Sequence, residues 1–292
     1  MKPSFVIVGC GKVGTILARQ MQSSGYPLIG LASRSLSSAK KVADETETKR
    51  FSDIPWEVTT SADIVFITTP DGSIQESSRK IAENKGFKQN AVVLHCSGAL
   101  PSTILASAKT CGASIGSMHP LQSFATSNVD TNPFKGIIAA IEGEEDAVHV
   151  ARQIAADLEA ISLTIKTDAK TLYHAAAVVA SNYLVALQDL AFQLLQISGI
   201  PTKRAFQVLG PLINGTLSNI EKVGTVKALT GPIVRGDAET VKKHVDEISS
   251  MAPELLTLYR TLGRHTVTIA ESGGNLSKEQ VQRLFEILDE NA

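Results

Sequence analysis

Three glycines in Gly9-Cys10-Gly11-Lys12-Val13-Gly14 fall at the spacing G-x-G-x-x-G, directly after the apolar run Phe5–Val8 and ahead of a helix-like stretch. In that context the loop is suited to cradle a pyrophosphate. The first glycine permits the tight turn, the second lets backbone approach the phosphates, and the third lets helix and strand pack closely. Where the helix begins, at Lys12 and Val13, unpaired N–H groups and the helix dipole favour the same anion. The end of the next apolar run decides between dinucleotides. A site for NAD usually carries an acid there to bond the ribose 2′-hydroxyl, whereas this chain has Ser33-Arg34-Ser35. A guanidinium between two hydroxyls can hold a 2′-phosphate that an acid would repel. NADP(H) is therefore expected over NAD(H); the plainer alternative is that Ser35 caps a helix beside a solvated Arg34.

Further groups able to handle a proton or a carbonyl stand at the ends of other apolar runs: Thr69-Pro70, Ser97-Gly98 and His119-Pro120. Small and hydroxyl residues there leave room for a nicotinamide ribose, and a histidine could move the proton that accompanies hydride transfer. Each has a bland counterpart: a turn at Thr69-Pro70, a helix cap at Ser97, a packed loop histidine at His119. Later, Lys170, His174 and Ser181 fall on one face of a long apolar helix. His174 lies about 40° round from Lys170, Ser181 about 20°, and Asn182 about 120°, at the margin. Such a polar row is costly to bury without partners and is expected to line a cleft; the alternative is a Lys170 simply solvated near a helix end. Arg235, after Gly231-Pro232-Ile233-Val234, suits a substrate carboxylate or, equally, backbone carbonyls. Cys10, Cys96 and Cys111 have no metal-ligand spacing, so reduced thiols and no metal are expected.

These residues need a scaffold. Short apolar runs at Phe5–Val8, Leu28–Ala32, Ile64–Thr68, Ala91–His95, Ser114–Met118, Ile137–Ile141 and Ile161–Ile165 alternate with helical patterns. Most are continuous rather than alternating, as in strands covered on both faces. The expected architecture is α/β: a doubly wound, mainly parallel Rossmann sheet over residues 1–166, followed by an all-helical domain over 167–292. Asp168 is the expected cap of a helix running without Gly or Pro from Ala169 to about Ser198, with a middle, Ala175–Leu195, that looks buried most of the way round. Further helices are expected at Lys203–Ile213, Ala238–Ser249, Pro253–Glu271 and Glu279–Asn291, the last opened by a capping box of Ser277 and Gln280. A helix that apolar wants a second surface, and a homodimer through the helical domain is the expectation. With 28 basic and 29 acidic residues in 292, and 43% hydrophobic residues, nothing marks a nucleic-acid or anionic-membrane partner. The first apolar run stops at Gly9, too short for a signal core or a membrane span, so a cytoplasmic protein with a small-molecule substrate is expected.

Gly9–Gly14, Thr69-Pro70-Asp71, His95–Leu100, His119–Phe124, Tyr173-His174-Ala175-Ala176 with Ser181-Asn182, and Leu229–Pro232 with Arg235-Gly236-Asp237 together resemble one family. It is the Rossmann-like proteins with a DUF2520 C-terminal domain, often described as F420-dependent NADP oxidoreductase-like, and the resemblance covers essentially the whole chain. The family is similar to the wider 6-phosphogluconate dehydrogenase-like group. The resemblance implies a helical domain that closes over the nicotinamide, with its long first helix supplying dimer contacts and catalytic side chains. Likeness to prephenate dehydrogenases points to Ser97 and His119. Likeness to β-hydroxyacid dehydrogenases and ketopantoate reductases points to Lys170, although the asparagine they carry four residues on is His174 here. The implied function is NADP(H)-dependent hydride transfer to or from a small carboxylated carbonyl or hydroxy compound, a 2-oxo acid such as ketopantoate among them. Lys170, His174 or His119 would exchange the proton, and Ser97, Ser181, Asn182 and Arg235 would bind substrate. The alternatives are a cyclic-imine reductase of pyrroline-5-carboxylate type, an F420-linked NADP oxidoreductase (no residue here demands a deazaflavin), and a non-catalytic NADP-binding sensor.

Overall fold

The computed structural model describes residues 1–122, 124 and 132–289. The chain forms two compact units, Met1–Ala180 and Ser181–Ala292. The first is an eight-stranded sheet in the order β3-β2-β1-β4-β5-β6-β7-β8. Its strands are β1 (Phe5–Val8), β2 (Leu28–Ala32), β3 (Phe51–Ser52), β4 (Ile64–Ile67), β5 (Val92–His95), β6 (Ser114–Pro120), β7 (Ile138–Gly143) and β8 (Ile161–Thr164). Between them run α1 (Lys12–Ser23), α2 (Leu36–Glu45), the single turn α3 (Trp56–Thr59), α4 (Asp71–Glu83), the short α5 (Ala106–Thr110) and α6 (Glu145–Asp157).

The continuous apolar runs are explained by the two faces of this sheet. Phe5 and Ile7 pack into one core with Leu17, Met21, Phe66 and Leu94. Val6 and Val8, the alternate residues of the same strand, pack into the other with Val65, Ile67, Ile74 and Ile81. Both faces are covered, so both sets of alternate positions must be apolar. β1 to β6 are parallel, and β7 is antiparallel to β6 with Ser117 opposite Glu142 and His119 opposite Ala140. β8 then lies parallel to β7. Two features went unread in the sequence. β3 is only two residues long, and the reversal at β7 leaves no mark on an apolar pattern.

Among its described residues the chain after β8 contains helices and connecting turns and no strand. Where one helix over Ala169–Ser198 is expected, there is a 3₁₀ turn (Thr167–Ala169), α7 (Lys170–Val178), a π turn (Val179–Tyr183) and α8 (Leu184–Ile197). Asp168 makes no cap hydrogen bond to it. The two compact units part inside the π turn, so α7 belongs with the sheet, beyond the expected boundary at 166. The expectation of an apolar middle buried most of the way round does not hold in one chain. Val179 is 57% exposed and Val185 70%, and within α8 only Leu190 is buried. The stretch Thr167–Ile197 is long and apolar enough to cross a membrane by length and composition.

The second unit continues with α9 (Thr202–Ala228), α10 (Ala238–Met251), α11 (Pro253–Ser272) and α12 (Lys278–Leu288). Helix α9 runs well past the expected end at Ile213, carrying Pro211 within it and breaking at Gly224, whose φ is +76°. Val241, Val245, Val267, Leu284 and Leu288 form the core of the last three helices. The capping box of Ser277 and Gln280 is present: Gln280 N–H donates to Ser277 Oγ at 3.2 Å and Ser277 N–H to Gln280 Oε1 at 2.9 Å.

Candidate active site

The glycine loop follows β1 directly, and α1 begins at Lys12. Gly9 has φ +114°, and a Cβ there would lie 2.7 Å from the backbone of Thr68 and Thr69. A Cβ on Gly14 would lie 2.0 Å from Gly9 O and 2.5 Å from Thr68 Oγ1. These two glycines are thus fixed by packing of the loop on the end of β4, where Thr68 Oγ1 donates to Gly9 O at 2.7 Å. Gly11 is different: a Cβ there would meet nothing within 4 Å, so its backbone faces open space. A cleft of about 710 Å³ opens over the loop. Gly9, Gly11, Lys12, Val13, Ser33, Arg34, Ser35, Thr69 and Pro70 all line it, and Gly14 packs beneath. Ser35 occupies the N-cap position of α2 without capping it; its hydroxyl pairs with that of Ser37 at 2.7 Å. Arg34 is exposed and makes no ion pair among the described residues. Asp53, just past β3, also lines the cleft and was not weighed in the sequence. Thr69 Oγ1 is buried without a hydrogen-bond partner. A cradle with two glycines held tight, one open backbone and an orphaned hydroxyl at its rim fits a dinucleotide.

Two strands further along, the end of β5 turns through Ser97 and Gly98. Ser97 is 6% exposed and fully engaged. Its Oγ donates to Asp71 Oδ2 at 2.8 Å and accepts from the N–H groups of Ala99 and Leu100 at 3.2 and 3.0 Å. Its only hydroxyl proton is therefore committed to Asp71, and its cap-like bonds shape the turn. The Ser97 N–H donates to Nδ1 of fully buried His95 at 3.1 Å. Burial, with the nearby Lys170 charge, brings His95 down to about 4.

His119 rises from β6 and converges with α7. Its Nδ1 lies 3.1 Å from the Tyr173 hydroxyl, and the two rings meet edge to face with centroids 5.8 Å apart. The His174 ring crosses it at 6.0 Å. Both imidazoles crowd Gly98, where a Cβ would stand 2.6 Å from His174 Nδ1 and 2.8 Å from His119 Cε1 and Nε2. His174 Nδ1 is buried and unpartnered. Burial, then the charge of Lys170, brings His119 down to about 4, so it is neutral at pH 7.

Lys170 departs from the expectation that it lines a cleft. It is 1% exposed, with Nζ held by Ser117 Oγ and, at 3.2 Å, by Glu142 Oε1. Glu142 is equally buried and takes Ser117 Oγ–H at 2.6 Å, Ser102 N–H at 2.9 Å and Ser102 Oγ–H at 2.8 Å. Burial pushes the Glu142 carboxyl up, but the Ser117 bond, the Lys170 charge and Ser102 outweigh it and leave it below the ordinary value. Burial pulls Lys170 down against the restoring charge of Glu142. Ser117 and His119 alternate on β6 and so share a face, which places the ion pair on the same side of the strand as the imidazole. Glu142, Ser117 and Tyr173 were missed as functional candidates. The available signal was an acid appended directly to the apolar run Ile137–Ile141.

Ser181, Asn182 and Arg235 belong to the second unit, and all three are exposed there. Arg235 precedes Gly236 and Asp237, whose carboxylate caps α10 by accepting from Thr240 N–H at 3.1 Å. Ser123, within the His119–Phe124 stretch, lies outside the described residues. Cys10, raised to about 11, and Cys96, raised to about 12, are both kept protonated by burial.

Residues 2–120 match the model of the Rossmann-like domain, and residues 137–266 match that of a domain of unknown function, DUF2520. The second match begins inside the sheet, at β7. The chain shares its fold with several solved structures. A Bacteroides fragilis protein provisionally named an NADP oxidoreductase is 24% identical, with TM-score 0.72 over 92% of this chain and 98% of that one. A Thermotoga maritima protein is 27% identical, with TM-score 0.71 over the same shares. The reductive aminase of Aspergillus terreus, solved with NADPH and ethyl-5-oxohexanoate, is 12% identical, with TM-score 0.60 over 99% of this chain and 93% of that one. No curated protein matches the sequence.

Proposed function

We propose that this chain, a Rossmann-like domain continued by a DUF2520 domain, is an NADP(H)-dependent oxidoreductase. It would move a hydride between the nicotinamide and a small carboxylated carbonyl or hydroxy compound. The observation that carries the reading is the placement, at the ends of parallel strands of one sheet, of a glycine cradle, an orphaned Thr69 hydroxyl and a neutral histidine. The A. terreus reductive aminase, which shares the fold, was solved with NADPH, and the exposed Arg34 between two serines favours a 2′-phosphate over the 2′-hydroxyl of NAD. When bound, the nicotinamide supplies or takes up the hydride. The chain's own contribution is to hold the phosphates on the loop and to manage the proton at the substrate oxygen.

His119 is the group assigned to that proton, through Nε2, which makes no hydrogen bond among the described residues. His174 crowds the same spot and narrows it. Lys170 acts on the site from within the protein: held by Glu142, it adds to the effect of burial, the larger cause, in lowering the pKa of His119. Ser97 shapes the turn that presents Gly98. The working form is proposed to be a soluble cytoplasmic homodimer. Val185, Phe206 and Leu212 are 70%, 63% and 67% exposed and call for a covering surface. A second chain fits this need better than lipid, because Asp189 would otherwise carry its charge into hydrocarbon.

The test is a fluorescence titration with NADPH and NADH in parallel, on the native chain and on Arg34→Ala. Tighter binding of NADPH, with the preference lost in the variant, supports the reading and justifies a turnover screen of 2-oxo acids and cyclic imines. Failure to bind either nucleotide refutes it and turns the question to F420.

A further inference from the structure

Tyr173 has no assigned role, yet among the described residues its hydroxyl is the one group placed against Nδ1 of His119. The contact is Nδ1 to Oη at 3.1 Å, supported by the edge-to-face packing of the two rings. Among the described residues this hydroxyl has no other partner. A neutral imidazole carries one proton and one lone pair, and the partner of one nitrogen decides which atom has which. Phenol is a strong donor and a poor acceptor, whereas an unprotonated ring nitrogen is a good acceptor. An O–H of Tyr173 donating to Nδ1 would leave the ring proton on Nε2.

We propose that Tyr173 sets the tautomer of His119 so that Nε2–H is presented as a hydrogen-bond donor, and that it resupplies the proton when Nε2 gives its own to substrate. The site is thereby built for the acceptor oxygen of a carbonyl, the reductive direction. This rests on the reading of His119 as the proton-handling group. The proton count closes without any imidazolate. As the substrate oxygen gains negative charge, Nε2–H passes its proton to that oxygen and forms the O–H bond. Nδ1 takes the proton of the Tyr173 hydroxyl, leaving a neutral ring of the opposite tautomer. Nε2 then takes a proton from water and Nδ1 returns its own to the phenolate, which restores the starting tautomer; water reaches the pair because His119 and Tyr173 are both only partly buried. Tyr173 is a positioning residue in this scheme, since it acts on substrate only through His119.

Geometry holds Tyr173 in place independently of any ligand. It lies three residues after Lys170 on α7, hence on nearly the same face, and Lys170 is pinned in the buried pair with Glu142. Gly98 clears the front of the ring: any side chain there would press on Nε2 within 2.8 Å.

The experiment is a long-range ¹H–¹⁵N correlation spectrum of histidine-labelled protein at pH 7, without nucleotide, with the His119 signals assigned by their loss in His119→Asn. The expected result is a protonated Nε2 and an unprotonated Nδ1 in the native chain. In Tyr173→Phe the populations should move toward a mixture. A native ring protonated at Nδ1, or a tautomer unchanged in Tyr173→Phe, overturns the proposal. If Tyr173→Phe does not fold, the native spectrum alone still decides the tautomer. Once a substrate is in hand, Tyr173→Phe should lower kcat by about 10²-fold with KM little changed, the scale of lost acid–base assistance; undiminished kcat overturns the resupply step. The spectrum needs neither nucleotide nor turnover, so a failed tautomer and a failed oxidoreductase assignment are distinguishable.

Discussion

Replacing Lys170 by methionine keeps most of the length of the side chain and removes its ammonium group, with the hydrogen bonds it makes to Ser117 and Glu142. Both members of the Lys170–Glu142 pair are 1% exposed, with Nζ and Oε1 3.2 Å apart. The substitution therefore strands a carboxylate in the interior with three hydrogen bonds from Ser102 and Ser117 and no counter-charge. Breaking a buried pair from one side costs about 3–5 kcal/mol, against about 0–1 kcal/mol for an exposed pair such as Lys40–Asp44. For a unit of this size each kcal/mol is worth roughly 2–4 °C, so Lys170→Met should lower the melting temperature by about 6–20 °C. Removing both charges, as in Lys170→Met with Glu142→Leu, should recover part of the loss, because a buried pair as a whole stabilises little over a packed apolar one, while the donors of Ser102 and Ser117 are left without their acceptor. The pH dependence follows in sign. Without Lys170, burial still pushes the folded-state pKa of Glu142 up while one of the influences that hold it down is gone, so it is raised relative to the native protein. The deficit should then shrink in acid, where the carboxyl is neutral, and grow as pH rises through the raised pKa. The sole tryptophan, Trp56, lies in the sheet unit, so its fluorescence follows that unit's melting apart from the helical one. A loss below about 1 kcal/mol, additive with that of Glu142→Gln, would refute the reasoning and return Lys170 to the open cleft.

Gly98→Ala should lower kcat by at least about tenfold and stability by about 1–3 kcal/mol, because its Cβ would lie within 2.8 Å of both imidazoles; unchanged turnover would show that they need not converge there. His95, depressed from 6.5 to about 4 by burial and the nearby Lys170 charge, contributes stability that is present above pH 6.5 and lost as pH falls through 4, on the order of 3 kcal/mol. The difference between native and His95→Gln melting profiles isolates this from the carboxylates, and a flat difference across that window would count against a neutral buried ring. Light scattering should report about twice the 31.0 kDa of one chain, and Leu212→Glu, on the exposed face of α9, should bring it back to one; a native monomer would rule out the dimer.

Much of the sheet unit was legible because strands covered on two faces leave apolar blocks such as Ile64–Ile67 and Val92–His95 that nothing else mimics. The cradle was legible because its glycines answer to local sterics. The direction of β7 was not, since reversal changes neither composition nor periodicity. Nor was the fate of Lys170: the position pointed to a polar row on α7, but what buries it is an acid 28 residues earlier, across a strand pairing that the chain order does not reveal. His119 and His174 are 55 residues apart in the sequence, in separate motifs. The group that joins them, Gly98, looked like an ordinary turn residue. Helix α8 illustrates the opposite error, in which a uniformly apolar surface was taken for an interior one; what covers it is a question about a second surface.

The reversal of β7 and β8 also governs how α7 is gauged against the sheet. Ser117 and His119 are two residues apart on β6, roughly 6.6 Å. Lys170 and Tyr173, which meet them, are three apart on α7, roughly 4.5 Å along the axis and nearly in phase. The two scales run side by side, and each pairing checks the other. Lys170 thus works as a dowel: seated against Glu142, it fixes both the height and the rotation at which the tyrosine arrives. Deleting a single residue from the connector 165–169 would turn α7 by about 100° and slide it by about 1.5 Å. That displaces ammonium and phenol together and leaves no partial setting between engaged and lost. The length of that connector is therefore as much a part of the chemistry as the side chains it delivers.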